Sequence, residues 1–159
     1  MIASFQVKKR DGKFENYQTE KLHASFQKII QNKINPEEQN LLLSKVEKQI
    51  FNNISTAQII ETLILTTSSW IEKDPVFDQI TAQLSLCKIY REVLGKKCNL
   101  ENFSQLCQKT WIENLPEIVK NADPRLLDFD LERLSQELVF ERDNLFNYQG
   151  LKILYSRYF

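Results

Sequence analysis

The chain has 159 residues, 42% hydrophobic and 26% charged, with 21 Lys plus Arg balanced by 21 Asp plus Glu for a formal net charge of zero. That length fits one domain, or one small domain with an appended subdomain, and allows a buried core typical of a soluble globular protein. The charge balance provides no overall basic field for nucleic acid or an acidic membrane, so any anion site has to be local.

The three cysteines, Cys87, Cys98 and Cys107, are odd in number and lack a C-x-x-C spacing. They indicate neither a zinc ribbon nor a disulfide framework, and structural thiols of a reducing compartment are expected. No apolar run approaches the ~20 residues of a membrane span, and the N-terminus lacks the charged-then-apolar plan of a secretory leader; a cytoplasmic location is expected. Three glycines and four prolines leave little room for a many-turned β fold. The expected fold is mainly α with a small N-terminal β-hairpin or sheet.

In chain order, the runs Phe5-Val7 and Phe14-Tyr17 flank Asp11-Gly12, a strong hairpin signal because such a turn needs positive φ. Thr19 reads as an N-cap for a helix from Glu20 to Lys33, whose apolar stripe is Leu22, Phe26, Ile29 and Ile30. Pro36 suits the first turn of a second helix to Asn52, with Leu42, Leu43, Val46 and Ile50 on one side. Ser55, Thr56, Ala57 and Gln58 form a capping box, which predicts a third helix to Glu72 with the stripe Ile60, Leu63, Ile64, Thr67 and Ile71. Asp74-Pro75 opens a fourth helix carrying Ile80, Leu84, Cys87 and Leu94, with Gly95 as its C-terminal stop. Lys88 and Arg91, three apart, share a face of it.

The polar stretch Lys96 to Asn102 is the expected boundary between a domain of residues 1–95 and a segment of residues 96–159. That segment predicts a helix from about Glu101 to Lys120 with Phe103, Leu106, Trp111 and Ile112 on its apolar side. A break at Asp123-Pro124 and a short helix from Leu131 to Leu138 follow. The aromatic-rich close from Asn144 to Phe159 is expected to need a partner, since a contiguous apolar patch has to be covered.

Chemistry concentrates at the hairpin. Lys8, Lys9, Arg10 and Lys13 crowd it, and Lys21 sits in the first turn of the following helix, whose N-terminus itself favours anions. The outline is that of a phosphate pocket, and Glu15, Asn16 and Gln18 bring groups that a sugar or base edge could use. A merely solvated basic face is the competing reading of the same residues. His23 reads as a surface or packing histidine.

The run Lys9-Arg10-Asp11-Gly12, then Glu15, then Lys21, resembles the opening of an ATP-cone, the regulatory nucleotide-binding domain at the N-terminus of many ribonucleotide reductases. Asp74-Pro75, Ala82, Leu84, Tyr90-Arg91 and Gly95 resemble the last cone helix. The stretch Asp123 to Leu134, then Arg142-Asp143, Phe146, Tyr148, Gly150-Leu151, Leu154-Tyr155 and Arg157-Tyr158, resembles the segment after the cone in the class I large subunit.

The resemblance implies an allosteric nucleotide site on Lys9, Arg10, Glu15, Asn16, Gln18, Lys21, Thr56 and Arg91. Lys9, Lys21 and Arg91 would neutralise a triphosphate, Glu15 and Asn16 would meet ribose and base, Thr56 would hydrogen-bond the nucleotide, and Val7 or Arg10 backbone would touch adenine. It implies ATP as activator and dATP as inhibitor, with Mg2+ and no metal held by protein side chains. Ile60 departs from related cones, which often carry a polar residue there. The implied partners are the catalytic remainder of the large subunit, the small radical-generating subunit and further copies in a nucleotide-regulated homo-oligomer, with no nucleic acid and no membrane. No catalytic residue is expected in this chain alone. The alternatives are a helical docking module with a decayed site and a nucleotide-sensing transcriptional repressor; the repressor family adds a zinc ribbon, which this sequence does not show.

Overall fold

The computed structural model describes residues 5–31, 33–95, 103–121, 123, 125 and 128–158. These form two compact units: residues up to Lys88 together with those from Phe146 onward, and Ile89–Leu145.

The first unit begins with strands β1 (Gln6–Lys8) and β2 (Phe14–Asn16), paired antiparallel with Val7 opposite Glu15. The loop between them closes as the Gly12 amide donates to the Lys9 carbonyl (3.0 Å) and the Lys9 amide to the Lys13 carbonyl (2.8 Å). Gly12 sits at φ +81, left-handed backbone that a Cβ would strain, which is why a glycine closes this loop.

Helix α1 (Thr19–Ile30) buries Leu22, Phe26 and Ile30, four apart on one stripe. Gln31 ends it in the left-handed conformation, its amide donating to the Gln27 carbonyl. Helix α2 (Pro36–Glu47) starts with Pro36 in its first turn and Asn35 accepting from the Glu38 amide (2.8 Å). It buries Leu42, Leu43 and Val46.

After α2 the chain turns so that Ile50 and Ile54 enter the core, with Asn53 at φ +67. Strand β3 (Ile54–Ser55) then pairs parallel with β1, Val7 against Ile54 and Lys8 against Ser55, giving the order β2-β1-β3. Helix α3 (Thr56–Ser68) follows directly, and α4 (Val76–Val93) starts where the Asp74 carboxylate accepts from the Val76 amide (2.8 Å).

The core of this unit joins Val7, Phe26, Ile30, Leu42, Leu43, Val46, Ile54, Phe77, Ile80 and Leu84. Fully burying one such side chain contributes about 1.5–3 kcal/mol, so this cluster rather than helix propensity holds the helices. Thr67 and Thr81 are fully buried, yet each hydroxyl donates one turn back, to the Leu63 (2.7 Å) and Phe77 (2.6 Å) carbonyls. No hydroxyl penalty therefore accrues at these core positions. Trp70 packs edge-on against Phe77, centroids 5.2 Å apart, with the Lys45 and Lys73 ammoniums over its ring at 4.9 and 4.7 Å. Helix α7 (Tyr148–Tyr158) belongs to this unit, burying Leu151 and packing Tyr148 on the core while Asp78 accepts from the Tyr148 amide (3.2 Å).

The second unit contains α5 (Phe103–Asn121), α6 (Leu131–Gln136) and a 3-10 turn over Phe140–Leu145. Asp130 caps α6 by accepting from the Arg133 amide (3.0 Å), and the Tyr90 hydroxyl donates to Asp143 (2.5 Å). Cys107, on α5, is buried, and Cys87, on the part of α4 in the first unit, is half-buried. No described helix is long and apolar enough to cross a membrane.

The mainly α architecture with a small N-terminal sheet agrees with the sequence, but several details differ. The cap of α1 is Gln18, not Thr19, which is the first helical residue. Helices α1, α2 and α3 stop short of Lys33, Asn52 and Glu72, and α6 short of Leu138. In each case a tight turn replaces the last expected turns: around Gln31, around Ile50 to Asn53, around Trp70 to Lys73, and around Glu137 to Leu138. On α5, Cys107, Leu115 and Val119 are buried and Ile112 is exposed, because the buried ridge runs every four residues from Cys107. The boundary Lys96 to Asn102, Cys98 and Pro124 lie outside the described residues.

Candidate functional site

The register of the hairpin builds the site. Opposed residues of an antiparallel pair point to one face, as do residues two apart along a strand. Val7 is buried against the helices, so Glu15, opposite it, and Lys9, two residues on, lie on the helix-facing side where the core opens to solvent. Lys21, in the first turn of α1, meets them there.

Glu15 bridges the two lysines. One carboxylate oxygen lies 2.7 Å from Lys9 Nζ, and the other accepts from Lys21 Nζ. The Lys21 ammonium, then that of Lys9, hold the Glu15 carboxyl down to about 2. Glu15 and Lys9 are 38% exposed and Lys21 57%, so the cluster is accessible from solution.

Two helix starts flank this corner and differ in how their amides are satisfied. Ser55 accepts from the Gln58 amide (3.1 Å), and Gln58 accepts from the Ser55 amide (2.8 Å), a complete capping box at the start of α3. At α1 the side chain of the cap residue, Gln18, makes no cap hydrogen bond, and the Lys21 amide donates to the Gln18 carbonyl (3.1 Å). The N-terminus of α1 therefore lies beside Lys21 without a Gln18 side-chain cap, where the helix dipole favours negative charge.

Of the expected site residues, the structure brings Lys9, Glu15 and Lys21 together. Extending the β1–β3 register by one position sets Thr56, first residue of α3, on the level of Lys9. Arg10 lies in the hairpin loop, and Gln18 is the cap position of α1. Asn16 pairs with Gln6 and lies on the solvent-facing side of the sheet, away from Glu15. Arg91 is in the last turn of α4, within the second unit. Ile60 is buried in the core of the first unit.

Two features escaped sequence reasoning. One is the bridging position of Glu15, legible in principle from the alternation Val7, Lys9 and its partner across the turn. The other is β3, whose two residues are too few to show a period. His23 Nε2 lies 3.0 Å from a Glu47 oxygen, a half-exposed packing pair away from this corner. Among the described residues no group of three or more His, Cys, Asp or Glu could hold a metal ion.

A helical domain with a three-stranded edge and a solvent-open cationic corner at a helix start is the class that this geometry defines. The chain belongs to the ATP-cone family: the family model described as the ATP cone domain matches residues 5–85. It is also similar to ribonucleoside-diphosphate reductase alpha subunits. The Helicobacter pylori protein is 31% identical over 156 residues, covering 96% of this chain and 18% of its own length. The Chlamydia pneumoniae protein is 30% identical over 124 residues, covering 75% of this chain and 12% of its own. Subunit alpha of reductase 1 from Salmonella typhimurium is 26% identical over 166 residues, covering 99% of this chain and 20% of its own. The chain thus spans only 12–20% of the length of these relatives.

Proposed function

We propose that this chain is the allosteric N-terminal part of a ribonucleoside-diphosphate reductase alpha subunit, in which residues 1–95 bind an adenine nucleotide and residues 96–159 lead toward the catalytic remainder. The observation that carries the reading is the Lys9–Glu15–Lys21 corner at the start of α1, inside the stretch matched by the cone model.

Lys9 and Lys21 neutralise the polyphosphate, and the first-turn amides of α1 donate to its oxygens. Arg10 adds positive charge, Thr56 donates a hydroxyl, and Gln18 supplies groups for ribose and base. Mg2+ would accompany the nucleotide and offset part of its phosphate charge.

ATP favours the active assembly and dATP the inhibited one. The two differ only by a 2′-hydroxyl, so discrimination lies in how that group is accommodated, and linkage requires each ligand to prefer a different assembly state. The catalytic remainder of the subunit, a radical-generating small subunit and further copies of the chain are the partners of that switch, in the cytoplasm. On α7 the outward Ile153, Tyr155 and Tyr158 are exposed while Leu151 is buried, which supports docking of this helix on the rest of the subunit.

Calorimetric titration with ATP, then dATP, with magnesium and with GTP as control, tests the reading. Micromolar binding of adenine nucleotides with GTP silent is expected. Absence of any nucleotide binding would leave a docking module instead.

A further inference from the structure

The corner that is to receive a polyphosphate already contains an anion of its own. Both oxygens of Glu15 are engaged, one with Lys9 at 2.7 Å and the other with Lys21. The residue is fixed there by its register, opposite the buried Val7 on the helix-facing side of the sheet. A carboxylate between two ammoniums has the charge sign and the bidentate oxygen geometry of one phosphate group.

We infer that Glu15 is an internal stand-in for phosphate: it holds Lys9 and Lys21 in place in the empty domain, and a polyanion binds by taking both ammoniums from it. This rests on the reading that the corner takes a nucleotide, and it states how entry is regulated there. The exchange sets a threshold. A single phosphate replaces one small anion by another and gains little. A chain of phosphates takes both lysines and also reaches the N-terminus of α1, where Gln18 provides no side-chain cap. Glu15 therefore weakens every anion, but the short ones most, which selects for polyphosphate esters. It also keeps the two lysines oriented, so the site is ordered before the ligand arrives.

The opposite role is that Glu15 stays on its lysines and accepts from ribose hydroxyls. Inorganic tripolyphosphate, which has no sugar, separates the two. Titrated into the full chain at fixed ionic strength, it should bind the Glu15→Gln variant about three- to tenfold more tightly than the wild type, the range expected from freeing two half-exposed ion pairs. The preference for tripolyphosphate over orthophosphate should narrow in the same variant. Equal or weaker tripolyphosphate binding by Glu15→Gln overturns the inference.

A second readout uses the unaltered chain. Followed by carbon-13 NMR, the Glu15 carboxyl should titrate at about 2 in the free protein. With saturating tripolyphosphate it should return to the ordinary range near ~4.3 or above. A titration that tripolyphosphate leaves unmoved overturns the inference while the nucleotide reading stands. Failure of both tripolyphosphate and ATP to bind either chain overturns the nucleotide reading itself, and the inference with it.

Discussion

Replacing Lys9 or Lys21 with alanine tests whether the corner is chemistry or scenery. Each side chain would lose one charge-assisted contact to phosphate, which contributes about 1.5–3 kcal/mol. Lys21 is the more exposed at 57% against 38% for Lys9, so screening by water places it at the lower end. ATP affinity should fall about tenfold for Lys21→Ala and about thirtyfold for Lys9→Ala. The double variant should lose more than the product of the two. With both lysines gone Glu15 stands as a bare carboxylate against the phosphates, and coupled residues are not additive. Restoring neutrality with Glu15→Gln on that background should recover part of the loss. Calorimetry at fixed ionic strength reads the affinities, and thermal unfolding provides the control, because ion pairs this exposed add little to stability. Single variants that bind ATP within twofold of the wild type would refute the site assignment. A large drop in melting temperature would show that the lysines are structural instead.

Ile60 is a core residue, so Ile60→Ala should lower stability by about 2–4 kcal/mol in urea unfolding and leave the ratio of ATP to dATP affinities as it is in the wild type. At Gly12, with φ +81 and open space around a would-be Cβ, Gly12→Ala should destabilise through backbone strain alone, by about 1–2 kcal/mol in thermal unfolding. The Glu15 carboxyl is held below its unfolded value, so its contribution is complete above about pH 4.3 and fades as pH falls toward about 2. The wild-type acid transition should therefore be steeper in that window than that of Glu15→Gln, measured by circular dichroism against pH.

Much of the first unit could be read from local chemistry. Asp11-Gly12 marked the hairpin, Ser55 with Gln58 marked the start of α3, and Asp74-Pro75 marked α4, because each is a device with its own hydrogen bonds that forms within a few residues. The apolar stripes of α1 and α3 told which faces turn inward. Helix ends were less legible, since Gln31 and Asn53 adopt positive φ only because the core draws in Ile34, Ile50 and Ile54. Strand β3 has no pattern of its own and exists because β1 offers it a partner. Likewise, nothing in the run from Tyr148 reveals that Leu151 buries itself with residues some seventy positions earlier, as the Asp78–Tyr148 bond shows. In the site, residue types named the right corner, but only the register across the hairpin revealed that Glu15 spans both lysines.

The parallel pairing of β1 with β3 also fixes the order in which the corner can come into being. The hairpin and the start of α1 are local, and form Lys9, Glu15 and Lys21 into a cluster early. Thr56 joins only when β3 docks, a contact reinforced by the Gln6 amide donating to Asn52 Oδ1 across a separation of 46 residues. Closing that loop costs entropy that the local pieces do not meet on their own, so it belongs to the slow, late part of folding. A ligand that touches both Lys9 and Thr56 would act as a clasp on the least local seam of the domain. Its occupancy would then show first as slower exchange of the Asn53 amide, which donates to the Gln6 carbonyl (2.8 Å) across that seam, and only afterwards elsewhere in the core.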